Sequence, residues 1–438
     1  MSAAGQLLRV EKAVYGGDGL ARTGSGEVAF VPFALPGEVV RTGGLDGEAG
    51  GTEIVEASPD RDVPACVHFG TCGGCRYQMA SYDAQLAIKT AILRETLDRA
   101  GIVDLPEARV WGSPEPYGYR NRIRLRVREA GGELRLGYSV RGTNDFLPVT
   151  MCPIAAPVLW ACAEATMRAG AEDRDAAEWL RAAAEVELLC DAEAAEVQVH
   201  LLCPGPVPTR KGSFERFAQA LVGAGVGVRS MGASRLHVAS GRAKETLAAW
   251  GADGLAYRVG EESFWLKRGS FFQVNRFLVP RMAELVCGER GGTLAWDLFA
   301  GVGLFARGLA RRFAQVTAVE ASPVAVEELR RGLRRAGDLA VGETTLDFLR
   351  KAVLQRERPE LIVLDPPRAG AGEEACGLLV RLRPAEIVYV SCDPTTLARD
   401  LKVLGARYRV SELHMMDLFP QTYHLETVMV LRREDVAG

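Results

Sequence analysis

Hydrophobic positions along the chain change their period twice, and each change predicts a different kind of structure. In residues 1–58, short apolar runs at 7–10, 27–31 and 39–41 are separated by "GGDG", "GSG", "LPGE" and "GG". Short strands between glycine-rich turns predict a small barrel of the oligonucleotide-binding (OB) type. A glycine-rich β appendage with no ligand has the same pattern. Residues 81–100 place Leu86, Ile88, Ile92, Leu93 and Leu97 on roughly one helical face, and the segment opens on Ser81, a good N-cap. From 108 to 265, β-like stretches alternate with two helical ones, which predicts an α+β domain. From 266 onward, "TLAWDLFAG", "VTAVEAS", "LIVLDPPR" and "IVYVSC" are apolar without alternation, as parallel strands buried on both faces are. Helical stretches such as "PVAVEELRRGLRRAG" and "TTLARDLKVLG" lie between them. The expected fold class is therefore α/β, with a doubly wound, Rossmann-like domain preceded by an OB-type β-barrel and an α+β central domain. The domain spans are 1–58, 59–265 and 266–438.

Composition adds limits. The 438 residues are 48% hydrophobic and 25% charged, and no apolar run approaches the roughly 18 residues of a membrane span, so a soluble chain without a membrane partner is expected. The start, "MSAAGQLLRV", lacks a basic region followed by an apolar stretch and a cleavage site. That predicts a cytoplasmic, reducing setting, in which ten cysteines read as catalytic or metal-bound rather than disulfide-bonded. Nothing demands more than a monomer.

A net charge of −3 makes any nucleic-acid surface a local one. The candidate is "RNRIRLRVR", which puts Arg120, Arg122, Arg124, Arg126 and Arg128 at period two and hence on one strand face. Five like charges on one face call for a polyanion such as an RNA phosphate track. The competing reading is a solvated face whose acids lie on a neighbouring strand.

Candidate chemistry falls at the carboxyl ends of the predicted parallel strands, where open α/β sheets hold their ligands. "DLFAGVGLFA" supplies Asp297, Phe299, Gly301 and Gly303 in a strand-to-helix turn, and Glu320 ends the next strand, where an acid hydrogen-bonds a ribose diol. A plain tight turn with a surface acid is the alternative. Ala306 stands where a pyrophosphate fingerprint has its third glycine, which favours S-adenosylmethionine over a dinucleotide. Asp365 follows in "LDPPRAG", stiffened by Pro366 and Pro367. Cys392 ends "IVYVSC", and His424 and Glu426 precede the last apolar run. A lone cysteine is often only a small core hydrophobe. Beside a methyl donor, however, a thiol and a carboxylate suit methylation of a pyrimidine at carbon 5. Thiolate addition to carbon 6 makes carbon 5 nucleophilic, and a base, here Glu426, afterwards removes its proton.

"SFFQVN", "DLFAGVG", "DPPRAG", "SCDP" and "HLETV" occur in the order found in S-adenosylmethionine-dependent RNA (uracil-5-)-methyltransferases, and the chain resembles the iron–sulfur branch acting on 23S rRNA along nearly its whole length. The resemblance implies Cys392 as nucleophile, Glu426 as base, and Gln273, Phe299, Glu320 and Asp365 around the donor, with Asp365 also near the target uracil. It implies that residues 1–58 are a TRAM domain, an RNA-binding barrel. Leu304 and Thr344 depart from the family pattern near the donor. Within the family, tRNA is the rival substrate. A cytosine-5 methyltransferase would carry a cysteine in the "DPP" region, and none is present. A non-catalytic RNA-binding factor is the remaining alternative.

Cys66, Cys72 and Cys75 in "CVHFGTCGGC" have a C-x5-C-x2-C spacing that needs a fourth ligand, for which Cys152, followed by proline, is the candidate. Spacing alone leaves zinc and iron–sulfur open, with a redox dithiol as a third reading. The resemblance implies a structural [4Fe-4S] cluster on all four, with His68 as a bystander. Cys162, Cys190, Cys203, Cys287 and Cys376 read as core thiols.

Overall fold

The computed structural model describes residues 6–42, 52–237 and 242–434. The ends of the terminal spans (1–5 and 435–438) and the "GG" turn after 39–41 lie outside the described residues.

The N-terminal residues form a five-stranded antiparallel sheet. Gln6–Ala13 lies at its centre, between Asp18–Arg22 and Val39–Thr42, with Val28–Pro32 and Glu53–Glu56 at the edges. The central strand pairs with Val39–Thr42 through Gln6–Arg9 and with Asp18–Arg22 from Val10 on, where a bulge between Val10 and Lys12 bends it around a small core. Leu8, Val10, Ala21, Val31, Ala34 and Val40 fill that core. Periodicity missed Asp18–Arg22 because "DGLAR" carries only one large apolar side chain.

Residues 122–251 build a seven-stranded sheet covered on one face by three helices, Pro157–Glu172, Arg174–Ala182 and Ser213–Gly223, rather than the two expected. The first two abut at Asp173. Its extended backbone stops one helix while its side chain accepts from the Ala176 amide at 2.8 Å to start the next.

The C-terminal sheet has eight strands in the order Leu339–Val341, Phe313–Val319, Gly292–Leu298, Leu361–Leu364, Glu386–Ser391, Glu426–Arg433, Tyr408–Met416 and Ala108–Trp111. The first five are parallel neighbours, as the unalternating apolar runs predicted. The last strand corrects the division at 265. Ala108–Trp111 pairs in parallel with Tyr408–Met416, and helix Tyr82–Arg99 packs Ile88, Ile92, Leu93 and Leu97 into the same core as Trp296, Leu379 and Tyr389. The hairpin Gly254–Val259 and Glu262–Lys267 likewise packs Leu255, Tyr257, Phe264 and Leu266 against Leu304 and Phe305. Periodicity reports that a face is buried, not which sheet buries it. Among the described residues no helix is long and apolar enough to cross a membrane.

Helix Tyr82–Arg99 begins where expected, with Ser81 accepting from the Ala84 amide at 3.3 Å. It also buries a charge. Lys89 Nζ reaches Asp417 Oδ1 at 2.6 Å and the Phe419 carbonyl at 3.0 Å, with both charged side chains fully buried. Lys89→Ala leaves Asp417 as an uncompensated buried charge. It is expected to cost about 3–5 kcal/mol of stability, read as a lowered urea midpoint.

Candidate active site

Strand Glu386–Ser391 ends because Asp393 caps the helix Pro394–Leu404. Its Oδ1 accepts from the amides of Thr395 at 2.9 Å and Thr396 at 3.1 Å, and Pro394 occupies the first turn. Cys392 is left between strand and cap, partly exposed at the carboxyl end of the sheet. Ser391 and Thr427 are the last bonded pair of the two antiparallel neighbours, which leaves Cys392 and Glu426 each one residue beyond it. Burial pushes the thiol up to about 12, the nearby Glu426 and Asp365 carboxyls add to the shift, and Arg368 opposes it. Glu426 is itself buried, and burial followed by Asp365 raises its carboxyl well above the usual range.

Asp365 follows the strand Leu361–Leu364, one parallel position from the cysteine strand. Gln273 Nε2 donates to its Oδ2 at 3.1 Å. Burial lifts Asp365 to about 7, and the Gln273 bond works against the shift. Arg368, three residues on, donates from Nη2 to the His424 ring at 3.1 Å. Burial, followed by the Arg368 charge, takes His424 down to about 3, so the ring is a neutral acceptor. This pair escaped sequence reading because its partners are 56 residues apart.

One strand away lies the glycine turn. Phe299 has φ +61°, a left-handed conformation that a non-glycine residue adopts at a cost. Glu320 Oε2 accepts from the Gly301 amide at 2.9 Å and its Oε1 from Ser322 at 2.6 Å, so backbone holds the carboxylate on both oxygens. The two glycines differ. At Gly301 (φ +56°) an added Cβ meets nothing within 4 Å, so this backbone faces open space. At Gly303 (φ +91°) it would lie 2.6 Å from Leu329 Cδ1, which makes that glycine a packing requirement. Asp297 sits beneath. It is fully buried and pushed up to about 8 by that burial, with Asp365 and Glu320 adding and the 2.7 Å Ala306 amide bond opposing. Its Oδ1 has no partner among the described residues.

Cys66, Cys72, Cys75 and Cys152 are free thiols, and the loop that carries the first three is bonded to the end of strand Glu133–Ser139, where the Gly73 amide donates to the Ser139 carbonyl at 3.0 Å. Burial raises Cys72, Cys75 and Cys152, and each is pushed further by other members of the four. Tyr138 donates to Cys152 Sγ at 3.7 Å. His68 Nε2 accepts from the Thr150 amide at 2.9 Å. Among the described residues, no three His, Cys, Asp or Glu side chains lie close enough to hold a single metal ion. Cys287, expected as a core thiol, is only half-buried, whereas Cys162, Cys190, Cys203 and Cys376 are buried.

The arginine row is corrected. Strand Arg122–Ala130 starts after Arg120, which lies half-buried beside Tyr119, Tyr138 and Cys152. Arg122 pairs with Glu187 at 3.9 Å and Arg124 with Glu185, both acids coming from the adjoining strand Glu185–Cys190. Arg126 donates to Ser139 Oγ at 3.1 Å and to the Asn144 carbonyl at 2.7 Å, while Arg128 bonds the Val127 carbonyl at 2.7 Å. The row is therefore not an open five-charge track. The signal was present in "EVELLC", whose own period-two acids face the arginines once the strands pair.

A family profile described as tRNA (uracil-5-)-methyltransferase matches residues 339–434. The chain is 34% identical to a 23S rRNA (uracil(1939)-C(5))-methyltransferase, RlmD, of Chromohalobacter salexigens, over 98% of this chain and 90% of the relative. Its identity to the enzyme of the same name from Halomonas elongata is 33%, with the same coverage. Among solved structures, the tRNA (uracil-54, C5)-methyltransferase of Pyrococcus abyssi with S-adenosyl-L-homocysteine has the same fold. Its TM-score is 0.74 and its identity 24%, with 97% of this chain and 99% of that one covered. With full-length relatives at that identity, the chain belongs to the S-adenosylmethionine-dependent RNA (uracil-5-)-methyltransferases.

Proposed function

We propose that this enzyme methylates carbon 5 of a uridine in 23S rRNA through a covalent bond between Cys392 and carbon 6, resolved by Glu426. The observation that supports the reading is the strand register that leaves Cys392 and Glu426 each one residue beyond the last bonded pair of two neighbouring strands, with Asp365 near both. The choice of rRNA over tRNA rests on the full-length relatives.

S-adenosylmethionine supplies the electrophilic methyl group when bound. The residues present fit it. The backbone-held Glu320 carboxylate suits the ribose diol, Gly301 leaves open space in front of the turn, and Phe299, Gln273 and Asp365 border the same crevice. Gly303 shapes the turn.

At rest the Cys392 thiol is protonated, so it must lose its proton as the ring enters. Asp365, near neutrality at about 7, is the adjacent carboxylate able to accept it, and Arg368 favours the thiolate. The thiolate sulfur then bonds carbon 6, and the ring electrons move onto the carbon 4 oxygen and carbon 5. Carbon 5 takes the methyl group. Glu426, whose burial favours the neutral form at rest, must first give up its own proton; ionised, it removes the remaining carbon 5 proton, the carbon–sulfur bond breaks, and the thiolate is restored. The target base must leave its stack to reach this crevice.

Cys66, Cys72, Cys75 and Cys152 are proposed to hold a [4Fe-4S] cluster, supported by their mutual proximity and lack of disulfides. A four-iron cluster spreads its thiolates over a larger body than one ion does. Residues 1–58 are proposed as the TRAM domain, and Arg126 and Arg128, whose described hydrogen bonds go to hydroxyl and carbonyl oxygens rather than carboxylates, as arginines of the row left for RNA phosphate. The test is to map 5-methyluridine in rRNA and tRNA from cells lacking the gene. Loss at one 23S rRNA position is expected, and loss only in tRNA would overturn the rRNA assignment.

A further inference from the structure

Tyr15 lies in the loop between the first two strands of the N-terminal domain, yet its hydroxyl donates to Asp393 Oδ2 at 3.2 Å. The other Asp393 oxygen is committed to the two amides of the helix it caps. Around Cys392 the chain closes on itself. Ser391 Oγ donates to the Asp393 carbonyl at 3.0 Å and accepts from the Asp393 amide at 3.3 Å. Of the side-chain hydrogen bonds made by Ser391 and Asp393 among the described residues, the one from Tyr15 alone comes from outside this strand–cap–helix unit.

Tyr15 is itself held in place. Its ring meets Tyr423 edge-on at 5.5 Å, and Tyr423 lies 4.1 Å from His424, which Arg368 bonds. Two residues on, Gly17 has φ +95°, and an added Cβ would be 2.8 Å from Arg76 Cβ, so the loop seats only with glycine there. Asp18 accepts from Arg141 at 3.0 Å, and Lys12 pairs with Glu95. The loop and its flanking strand ends thus meet helix Tyr82–Arg99, the turn after strand Glu133–Ser139 and the loop before strand Glu426–Arg433. Burial and the Asp393 charge raise the Tyr15 phenol, which keeps it a donor.

We propose that Tyr15 is a positioning residue for the nucleophile, fixing through Asp393 the turn that presents the Cys392 thiol, so that the N-terminal domain takes part in catalysis by the way it docks. The proposal rests on Cys392 being the nucleophile. Small displacements of a reacting group have large kinetic effects, so removing one hydroxyl is sufficient to test it. The readout is single-turnover adduct formation on RNA carrying 5-fluorouridine at the target, in wild type, Tyr15→Phe, Asp393→Ser and the double variant. Serine keeps a capping oxygen but loses the carboxylate oxygen that Tyr15 bonds.

Tyr15→Phe is expected to slow adduct formation about tenfold, with KM for RNA within about twofold, and unchanged S-adenosylmethionine binding and melting temperature. In the Asp393→Ser background the same change is expected to matter less than about twofold. A native rate in Tyr15→Phe, equal slowing in both backgrounds, or a raised KM with an unaltered adduct rate would each overturn the proposal, the last by making Tyr15 an RNA contact. Absence of any adduct with the unaltered protein would remove the nucleophile assignment itself, a separate and distinguishable result.

Discussion

Cys392→Ser is expected to lower methyl transfer by about ten-thousandfold or more, roughly 5 kcal/mol of barrier. Carbon 5 of uracil has no carbanion character until a nucleophile has added at carbon 6, so losing the thiolate removes the step that makes the ring reactive. Serine has nearly the same shape, but its hydroxyl holds its proton far more tightly than a thiol already pushed up to about 12. The fold offers no reason for a stability loss. Cys392 is partly exposed, belongs to no core cluster, and sits beyond the last residue of its strand. Stability is therefore expected to change by less than about 0.5 kcal/mol. The measurement is transfer of labelled methyl to RNA, with donor binding followed separately. A serine variant within tenfold of the native rate, still binding donor, would remove the covalent mechanism.

Glu426→Gln is expected to act at the other end of the reaction. Addition and methyl transfer proceed, but the carbon 5 proton stays, so the methylated adduct cannot expel the thiol. Turnover falls by about 10²–10⁴-fold, and protein bound to unmodified, uridine-containing RNA accumulates as a slow band on a denaturing gel. Glutamine is a fair substitute structurally, because burial raises the glutamate carboxyl well above its usual range and favours its neutral form in the resting protein. The sign of the pH effect follows. A carboxyl raised in the folded state disfavours folding once it ionises, so native stability falls as pH rises toward the folded value, and the glutamine variant is spared that part of the loss. Product release at the native rate would assign the proton to another base, with Asp365 the nearest alternative.

Much of the C-terminal domain was legible in sequence because its strands are buried on both faces and carry their chemistry where they end. "LIVLDPPR" and "IVYVSC" announce both the strand and the residue it delivers. The Ser81 cap and the apolar face of residues 81–100 were equally readable, since capping and helical periodicity are local. The helix's attachment was not. Ile88, Ile92 and Leu93 look the same in sequence whether they pack on the central sheet or, as they do, on the C-terminal one. The arginine row failed for the same reason, because Glu185 and Glu187 neutralise Arg124 and Arg122 from a strand about sixty residues away. The Arg368–His424 and Tyr15–Asp393 contacts join loops that no local pattern connects.

Local order therefore came from the chain itself: the period of its apolar residues, its capping side chains, and the thiol, acids and glycines placed at strand ends. Which sheet each buried face would join, which acids would meet the arginines, and that Cys392 and Glu426 would lie at the ends of neighbouring strands with Tyr15 bonded to Asp393 beside them were settled only on folding. Side-chain direction follows from dihedral geometry over a few residues, whereas partnership depends on strand order and register between segments hundreds of residues apart.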